Sequence, residues 1–265
     1  MGVNARAVTR RKFLRGGGLV GASVAGTVAM PQVSRAQTTT FMYQSAWPSK
    51  DIFHEFAADY VRKVNEMSGG RLKLNLLPAG SVVPAFQLHE SIHKGVLDGG
   101  HGVTANLFGK HKAAALFGTP PSFGWDAHGF LAWFYHGGGE DLYKELVNGI
   151  LKLNLVSFLC FPMPTQPLGW FKKEITTSEE FKGLKYRTDG LPGDLFKDMG
   201  AVVISMPGGE VVPAFDRGSI EAAASNNPTS DLMLGFPDVS RHYMVGSHHK
   251  QTETCEVIFN TCLSP

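Results

Sequence analysis

Cysteine is scarce in this sequence and follows no pattern. Among 265 residues only Cys160, Cys255 and Cys262 are cysteine, and their odd number and spacing fit neither a disulfide framework nor a zinc knuckle. The chain also contains no Walker loop and no G-x-S-x-G nucleophile elbow, and no G-x-G-x-x-G stretch occurs after residue 36. These absences argue against nucleotide binding and serine-hydrolase chemistry, and they leave an enzymatic function with little support.

Acidic residues are absent from the first 36 residues, which contain six lysines and arginines. The adjacent Arg10 and Arg11 open the sequence "RRKFL", and a weakly apolar Gly/Ala/Val stretch then runs to Met30. A basic start, a short apolar stretch and a small residue at the cleavage point are typical of an export signal. The paired arginines indicate the twin-arginine route. We therefore predict a signal peptide over residues 1–36 and a periplasmic mature protein.

The net charge changes once this segment is set aside. The other 229 residues hold 19 Lys/Arg against 23 Asp/Glu, a net charge of −4 in place of the +2 of the whole chain. An acidic balance without a basic cluster gives no sign of a nucleic-acid surface. The remaining length is sufficient for two modest α/β lobes.

Two stretches of nine residues nearly repeat. "PAGSVVPAF" at 78–86 and "PGGEVVPAF" at 207–215 agree at seven positions. Each follows a strand-like run and precedes a helix-like segment, a tight turn and another strand-like run, which predicts two βαβ units. We expect two similarly built lobes and a cleft that faces the carboxyl ends of their strands. Helix starts in such units carry free N–H groups that favour anions.

One stretch matches the zinc motif H-E-x-x-H. His89, Glu90 and His93 in "HESIH" have the spacing at which two imidazoles bind zinc and a glutamate acts as base. The glycine and third histidine of the extended zinc-peptidase motif do not follow at the required spacing. The apolar residues of the same segment predict that both histidines lie on a solvated flank. A secreted zinc hydrolase stays open as an alternative from another functional class.

Four polar residues at strand or turn ends are candidates for the cleft, namely Gln166, Arg187, Asn226 and Asn227. Arginine presents a planar fork that grips a carboxylate through two N–H bonds and keeps its charge. The amides add donors and acceptors for a neighbouring keto or hydroxyl oxygen. Each residue also has a purely structural interpretation, since Arg187 can be a solvated charge at a strand end and Asn-Pro a turn.

The segments that hold these residues resemble a known family. "TTSEEFKGLKYRTDG" is similar to the S-x-x-D-F/L-K-G-x-K-x-R signature of the solute-binding proteins of TRAP transporters, the DctP type. Four further stretches resemble the 2-oxoacid-binding, TakP-like branch of this family, namely "DIFHEFAADYVRKVNEMSGGRLKL", "GVLDGGHGVTA", "FPMPTQPLGWFKK" and "PGGEVVPAFDRGSIEAA". The resemblance extends over residues 39–260.

The resemblance implies an α/β protein of the two-lobed periplasmic binding type (type II-like). Each lobe is then a mixed sheet flanked by helices, and the ligand cleft lies between the lobes. The first lobe would comprise residues 38–162, with the chain returning to it over 222–260, and the second would comprise 163–221. Such a protein is not an enzyme. It captures a small monocarboxylate, such as pyruvate, another 2-oxoacid or lactate, for a membrane permease of small and large subunits.

The resemblance also implies roles for individual residues. Arg187 forms the salt bridge to the substrate carboxylate, and Gln166 reaches the substrate and, in this branch, a bound Na⁺ or Ca²⁺. The further candidates for the cleft and its walls are Asn226, Asn227, Trp47 and Trp170.

Two departures from the resemblance bear on these expectations. Similar proteins carry glutamate and an aromatic residue where this chain has Ala224 and Ser225. Because hard cations bind charged and carbonyl oxygens, the missing carboxylate argues against a metal. Similar proteins also continue past Pro265 with C-terminal helices that complete the second lobe and support a homodimer. We therefore expect these helices to be missing, and a truncated, non-functional remnant is an alternative.

Overall fold

A computed structural model describes residues 38–120, 124–246 and 249–263. The predicted signal peptide at 1–36 lies outside the described residues, so its export route stays a prediction. Within the described part of the chain, no helix combines the length and the hydropathy needed to cross a membrane. The described residues form two five-stranded sheets.

The first sheet mixes parallel and antiparallel pairs. Its strands are β1 (Thr39–Ser45), β2 (Leu72–Leu77), β3 (Gly99–Val103), β4 (Leu155–Met163) and β10 (Glu253–Asn260). Their order is β2-β1-β3-β10-β4. β1 is parallel to both β2 and β3, whereas β10 is antiparallel to β3 and β4.

The second sheet has the same mixed character. Its strands are β5 (Gly169–Phe171), β6 (Lys185–Arg187), β7 (Val202–Ile204), β8 (Ala222–Ala223) and β9 (His242–Met244), in the order β7-β6-β8-β5-β9. β6 is parallel to β7 and β8, and β5 is antiparallel to β8 and β9. Two mixed sheets with helices against them confirm the predicted two-lobed α/β class.

The helices lie against these sheets and contribute apolar residues to the cores. In the first lobe they are α1 (Ile52–Met67), α2 (Leu88–His93), α3 (Ala114–Gly118), α4 (Ala127–His136) and α5 (Gly139–Lys144), the last continuing as a π turn (Glu145–Ile150). In the second they are α6 (Leu191–Asp198), α7 (Gly208–Asp216), α8 (Pro228–Leu234) and α9 (Phe236–Val239). Short 3₁₀ turns occupy Ala85–Gln87, Thr104–Leu107 and Ser178–Phe181.

The predicted pair of βαβ units is confirmed by the sheet order. β2, α2 and β3 form the first unit, and β7, α7 and β8 form the second. In the first sheet β1 lies between β2 and β3 and is parallel to both. In the second sheet β6 lies between β7 and β8 and is parallel to both. The carboxyl ends of all six strands therefore lie on the cleft side of their sheets.

The two near-identical nonapeptides fold differently. In the second copy the residues from Gly208 onward form helix α7, whereas in the first copy only Ala85–Gln87 makes a 3₁₀ turn before α2. The cause is Gln44, whose buried Oε1 accepts from the N–H groups of Val82 and Val83 at 2.9 and 3.2 Å. Its Nε2 donates to the carbonyl oxygen of Val83 at 2.8 Å. These contacts take the backbone groups that a helix would need.

The return of the chain to the first sheet differs from the expected segment 222–260. β8 and β9 pair within the second sheet, and the chain re-enters the first sheet only with β10 at Glu253. A βαβ crossover returns its second strand to the same sheet, so β8 follows α7 into the second sheet.

Candidate functional site in the cleft between the sheets

An enclosed cavity of about 50 Å³ lies between the carboxyl ends of the two sets of parallel strands. This is the position that the topology predicts for a ligand. One wall of the cavity is formed by residues that follow β1, β2 and β3, namely Trp47, Ala85 and Asn106. The other wall is formed by residues at or after the ends of β6, β7 and β8, namely Arg187, Pro207 and Asn226.

The cavity is also lined by one residue from each of the two segments that cross between the sheets. Residues 164–168 join β4 to β5, and residues 245–252 join β9 to β10. The N–H of Gln166 donates to the carbonyl oxygen of Lys250 at 3.3 Å, and Thr165 Oγ1 donates to that of Gln251 at 3.1 Å. This pairing brings Gln166, Lys250 and the first residue of β10, Glu253, to the cavity.

Arg187 ends β6, and only 8% of it is exposed. Its Nε and Nη2 both donate to the carbonyl oxygen of Met206, at 3.1 and 2.7 Å, and its Nη1 donates to that of Ala224 at 3.0 Å. These carbonyls follow β7 and β8, the two strands that flank β6. The backbone of the βαβ unit therefore fixes the plane of the guanidinium.

Asp189 occupies another part of the same guanidinium. Its Oδ2 forms an ion pair with Arg187 Nη2, and its Oδ1 accepts from Ser205 Oγ at 2.6 Å. An arginine has five N–H donors, and the contacts to Met206, Ala224 and Asp189 leave one of them, on Nη1. A carboxylate that takes two parallel N–H bonds at the outer end of Arg187 must therefore displace Asp189.

Lys250 and Glu253 also line the cavity, with 3% and 5% exposure, but they are not joined by an ion pair. Burial lowers the pKa of Lys250, against the opposing effect of the Glu253 and Asp189 carboxylates. Burial likewise raises the pKa of Glu253, and Lys250 and Arg187 act to lower it. Two basic and two acidic side chains thus share one small, largely dry space.

Several polar groups at this cavity are only loosely engaged. Gln166 Oε1 lies 3.3 Å from His249 Nε2, and Asn226 is half-buried. Among the side-chain atoms of the described residues, Trp47 Nε1 and Glu253 Oε2 are buried without a hydrogen-bond partner. Buried polar atoms of this kind are usually paired. Together these groups offer a ligand at least one indole N–H donor and one carboxyl oxygen.

Helix α7 adds to the positive potential at the cavity. Its first residue, Gly208, and the preceding Pro207 line the cavity, and no side chain caps the helix start. A helix N-terminus carries partial positive charge on its free N–H groups. The wall beside Arg187 is thus suited to an anion.

Two predicted cleft residues do not line the cavity. Trp170 packs at 4.4 Å between ring centroids on Tyr243, and its Nε1 donates to Asp231 Oδ2 at 2.8 Å. Asn227 caps helix α8 by accepting from the Ser230 N–H at 3.0 Å. Alternation along β5 points Trp170 into the lobe's interior, so the structure corrects its expected place as a pocket wall. Trp47, Gln166, Arg187 and Asn226 do meet at the cavity.

The buried carboxyl of Asp231, behind the cavity wall, should make the free energy of unfolding depend on pH. Burial raises the pKa of Asp231 to about 6. A carboxyl whose folded pKa is raised stabilises the fold below its unfolded pKa, and this contribution is lost as pH rises through about 6. The wild-type free energy of unfolding should therefore rise by about 2–3 kcal/mol from pH 7.5 to 4.5 relative to Asp231→Asn. Urea titrations of both proteins measure this, and parallel pH profiles would contradict it.

The zinc motif is divided among three unrelated contacts. His89, predicted to be solvated, is 1% exposed, and its Nε2 lies 2.6 Å from Glu256 Oε1. Glu90 instead pairs with Lys94 and Lys110, and His93 Nδ1 accepts from the backbone N–H of Asn154 at 2.9 Å. The expectation of a solvated flank was wrong for His89 because α2 packs against β3 and β10, where Glu256 of β10 contacts the imidazole.

Sequence reasoning missed Asp189, Lys250 and Glu253. Asp189 stands two residues after Arg187 in "YRTDG", and that proximity was a usable signal. Lys250 lies on a crossing segment, and Glu253 begins β10 directly after it; the position of this segment depends on hydrogen bonds such as that of Thr165 to Gln251, 86 positions apart, which nothing local in the sequence indicates.

Comparison with known proteins identifies relatives over most of the chain. Residues 43–261 match the family described as bacterial extracellular solute-binding protein, family 7 (DctP). A Nostoc sp. protein named monocarboxylate 2-oxoacid-binding periplasmic protein is 32% identical over 87% of this chain and 61% of its own length. The chain thus spans about three fifths of that relative.

Two crystal structures share the fold at similar identity. A TRAP transporter solute-binding protein from Bordetella bronchiseptica, a mixed-occupancy dimer with calcium and picolinate in one active site, is 28% identical, with a TM-score of 0.79 over 86% of this chain and 68% of that chain. One from Pseudoalteromonas atlantica, with sodium and pyruvate, is 29% identical, with a TM-score of 0.78 over 85% and 67%.

These relatives are transport proteins that bind solutes, which removes the zinc hydrolase alternative. The matched region includes both βαβ units, the crossing segments and every charged residue of the cavity. The chain belongs to family 7 of the bacterial extracellular solute-binding proteins, the DctP family of TRAP transporters.

Proposed function

We propose that this protein captures a small monocarboxylate, pyruvate or another 2-oxoacid, with lactate as a close analogue. The observation that carries the proposal is the fixed guanidinium of Arg187 in an enclosed cavity at the carboxyl ends of the parallel strands. Cationic donors held in a dry site bind a carboxylate more strongly than they do in water. The names of the Nostoc relative and the Pseudoalteromonas structure support the same cargo class.

The size of the cavity supports a small acid. Its volume of about 50 Å³ accommodates roughly three to five water-sized groups. A carboxylate, an adjacent oxygen and one methyl group fill such a space, whereas a sugar acid exceeds it.

The proposed contacts follow from the geometry. The cargo carboxylate takes Nη1 and Nη2 of Arg187 and displaces Asp189, with Gln166 and Asn226 orienting the second oxygen. Trp47 forms part of the opposite wall, and its free Nε1 N–H donates to the adjacent keto or hydroxyl oxygen.

Transport context follows from the family. We propose that the chain is exported to the periplasm by the twin-arginine route and delivers its cargo to a TRAP permease of small and large subunits. The dimer of the Bordetella structure supports a homodimer as a further possibility for longer relatives.

Sodium or calcium accompanies the acid in the two crystal structures, but the side chains of this cavity do not fit such an ion. Position 224 is an alanine, Asp189 is engaged by Arg187, and Glu253 lies beside Lys250. Among the described residues, no three His, Cys, Asp or Glu side chains are grouped to hold a metal ion. Calcium requires six to eight oxygen ligands.

A thermal-shift screen of the purified full chain tests the proposal. Pyruvate, lactate and longer 2-oxoacids should raise the melting temperature, because a ligand at 100 times its Kd adds about 2.7 kcal/mol to stability. Methyl pyruvate, which lacks the carboxylate charge, is the matched control and should have no effect. Equal shifts with acid and ester, or none with any acid, would contradict the proposed function.

A further inference from the structure

Lys250 is an unusual residue for the lining of a ligand cavity. It is 3% exposed and lies on the crossing segment that the Gln166 N–H and Thr165 Oγ1 hold in place. Lysine is seldom fully buried unless it is paired. In the described part of the chain, no carboxylate oxygen comes within 4 Å of its Nζ. Its position in the cavity is therefore open to a ligand oxygen.

Three other charged side chains, Arg187, Asp189 and Glu253, line the same cavity as Lys250. Arg187 is engaged by Asp189. If the cargo displaces Asp189 from Arg187, the ammonium of Lys250 is the fixed cation toward which Asp189 or the cargo's second oxygen can turn. The Asp189 carboxylate already acts electrostatically on Lys250.

A lysine ammonium can stabilise a negatively charged or partly negative oxygen as a monovalent cation does. It is a compact point charge with three donors in rotatable positions, and it contacts oxygens of any geometry. Unlike an ion, it needs no carboxylate cage, which agrees with the alanine at position 224. A sodium or calcium ion in the same cavity would compete with Arg187 and Lys250, whose charges are fixed to the protein, for the carboxylates of Asp189 and Glu253.

We propose that the Lys250 ammonium is the second positive charge of the cargo site, so that this chain binds its acid without the sodium or calcium ion that accompanies the acid in the related structures. This inference rests on the proposed function. Arg187 then holds the carboxylate, and Lys250 Nζ donates to the oxygen on the neighbouring carbon. Glu253, whose Oε2 has no partner among the described residues, balances the lysine.

Calorimetry with pyruvate on the full chain, in buffer with EDTA and choline in place of sodium, tests this directly. The Kd should change by less than about twofold when 100 mM NaCl or 2 mM CaCl₂ is added back at constant ionic strength. Lys250→Met should weaken binding at least about tenfold, and Lys250→Arg, which keeps the charge, should weaken it less. Titration of calcium into the acid-free protein should show no binding.

Lys63→Met is the matched control, because Lys63 lies on the exposed face of α1 and pairs only with Asp59 at 2.6 Å. It should bind pyruvate as the wild type does. Pyruvate binding that requires sodium or calcium, or that survives Lys250→Met unchanged, would overturn the role of Lys250 and leave the proposed function standing. Absence of pyruvate binding in every buffer would overturn both. Circular dichroism of each variant distinguishes lost binding from lost folding.

Discussion

Arg187→Lys is expected to weaken pyruvate binding by about 2–5 kcal/mol, which is at least about thirtyfold in Kd. Lysine keeps the charge but loses the planar fork, and it also leaves the carbonyl oxygens of Met206 and Ala224 without the donors that Arg187 supplies. Calorimetric titration with pyruvate measures the loss. A Kd within threefold of the wild type would show that Arg187 is a structural residue of the wall.

Asp189→Asn is the matched control for this prediction. The asparagine keeps the size and the Oδ1 acceptor for Ser205 Oγ but removes the charge that occupies Arg187 Nη2. Pyruvate should then bind more tightly, because it no longer competes with an internal carboxylate. Weaker binding would mean that Asp189 takes part in holding the cargo.

His89→Leu is expected to lower the free energy of unfolding by about 3–5 kcal/mol, because it removes one partner of a buried charged pair. Burial alone would raise the pKa of Glu256, but the charge and hydrogen bond of His89 and the hydrogen bond of Tyr143 lower it overall. Without His89 the carboxylate would be buried beside a single tyrosine donor, at 2.5 Å. Urea denaturation measures the loss.

His93→Ala serves as the control in the same helix. His93 is half-buried and accepts one backbone N–H, so its removal should cost only about 1 kcal/mol. Equal losses for the two variants, or retained stability in His89→Leu, would contradict the assigned role of the pair. Neither variant should change the zinc content of the purified protein.

The architecture was predictable because it repeats. Two copies of one nonapeptide, each between strand-like runs, were enough to predict two βαβ units and a cleft at the carboxyl ends of their strands. Hydrophobic periodicity and turn residues act locally, and a βαβ crossover has one favoured hand. The location of Arg187 at that edge followed from the same argument.

The features of the fold and the cavity that the sequence did not predict depend on contacts between residues far apart in the chain. Gln44 converts one nonapeptide into an irregular turn from 38 residues away, and Glu256 buries His89 from 167 residues away. Two further charged residues of the cavity, Lys250 and Glu253, lie at the end of a crossing segment and the start of β10, and no local sequence pattern indicates that they reach the site. Trp170 failed as a wall residue because one-residue alternation along β5 decides which side of the sheet it occupies.

The most direct test of the account is a calorimetric titration of the purified full chain with pyruvate, repeated with Arg187→Lys. The account predicts saturable binding with one acid per chain in the wild type, no comparable heat with methyl pyruvate, and a loss of at least about thirtyfold in the variant. Heats indistinguishable from dilution for pyruvate and lactate, or equal affinities of wild type and variant, would contradict a carboxylate site at Arg187.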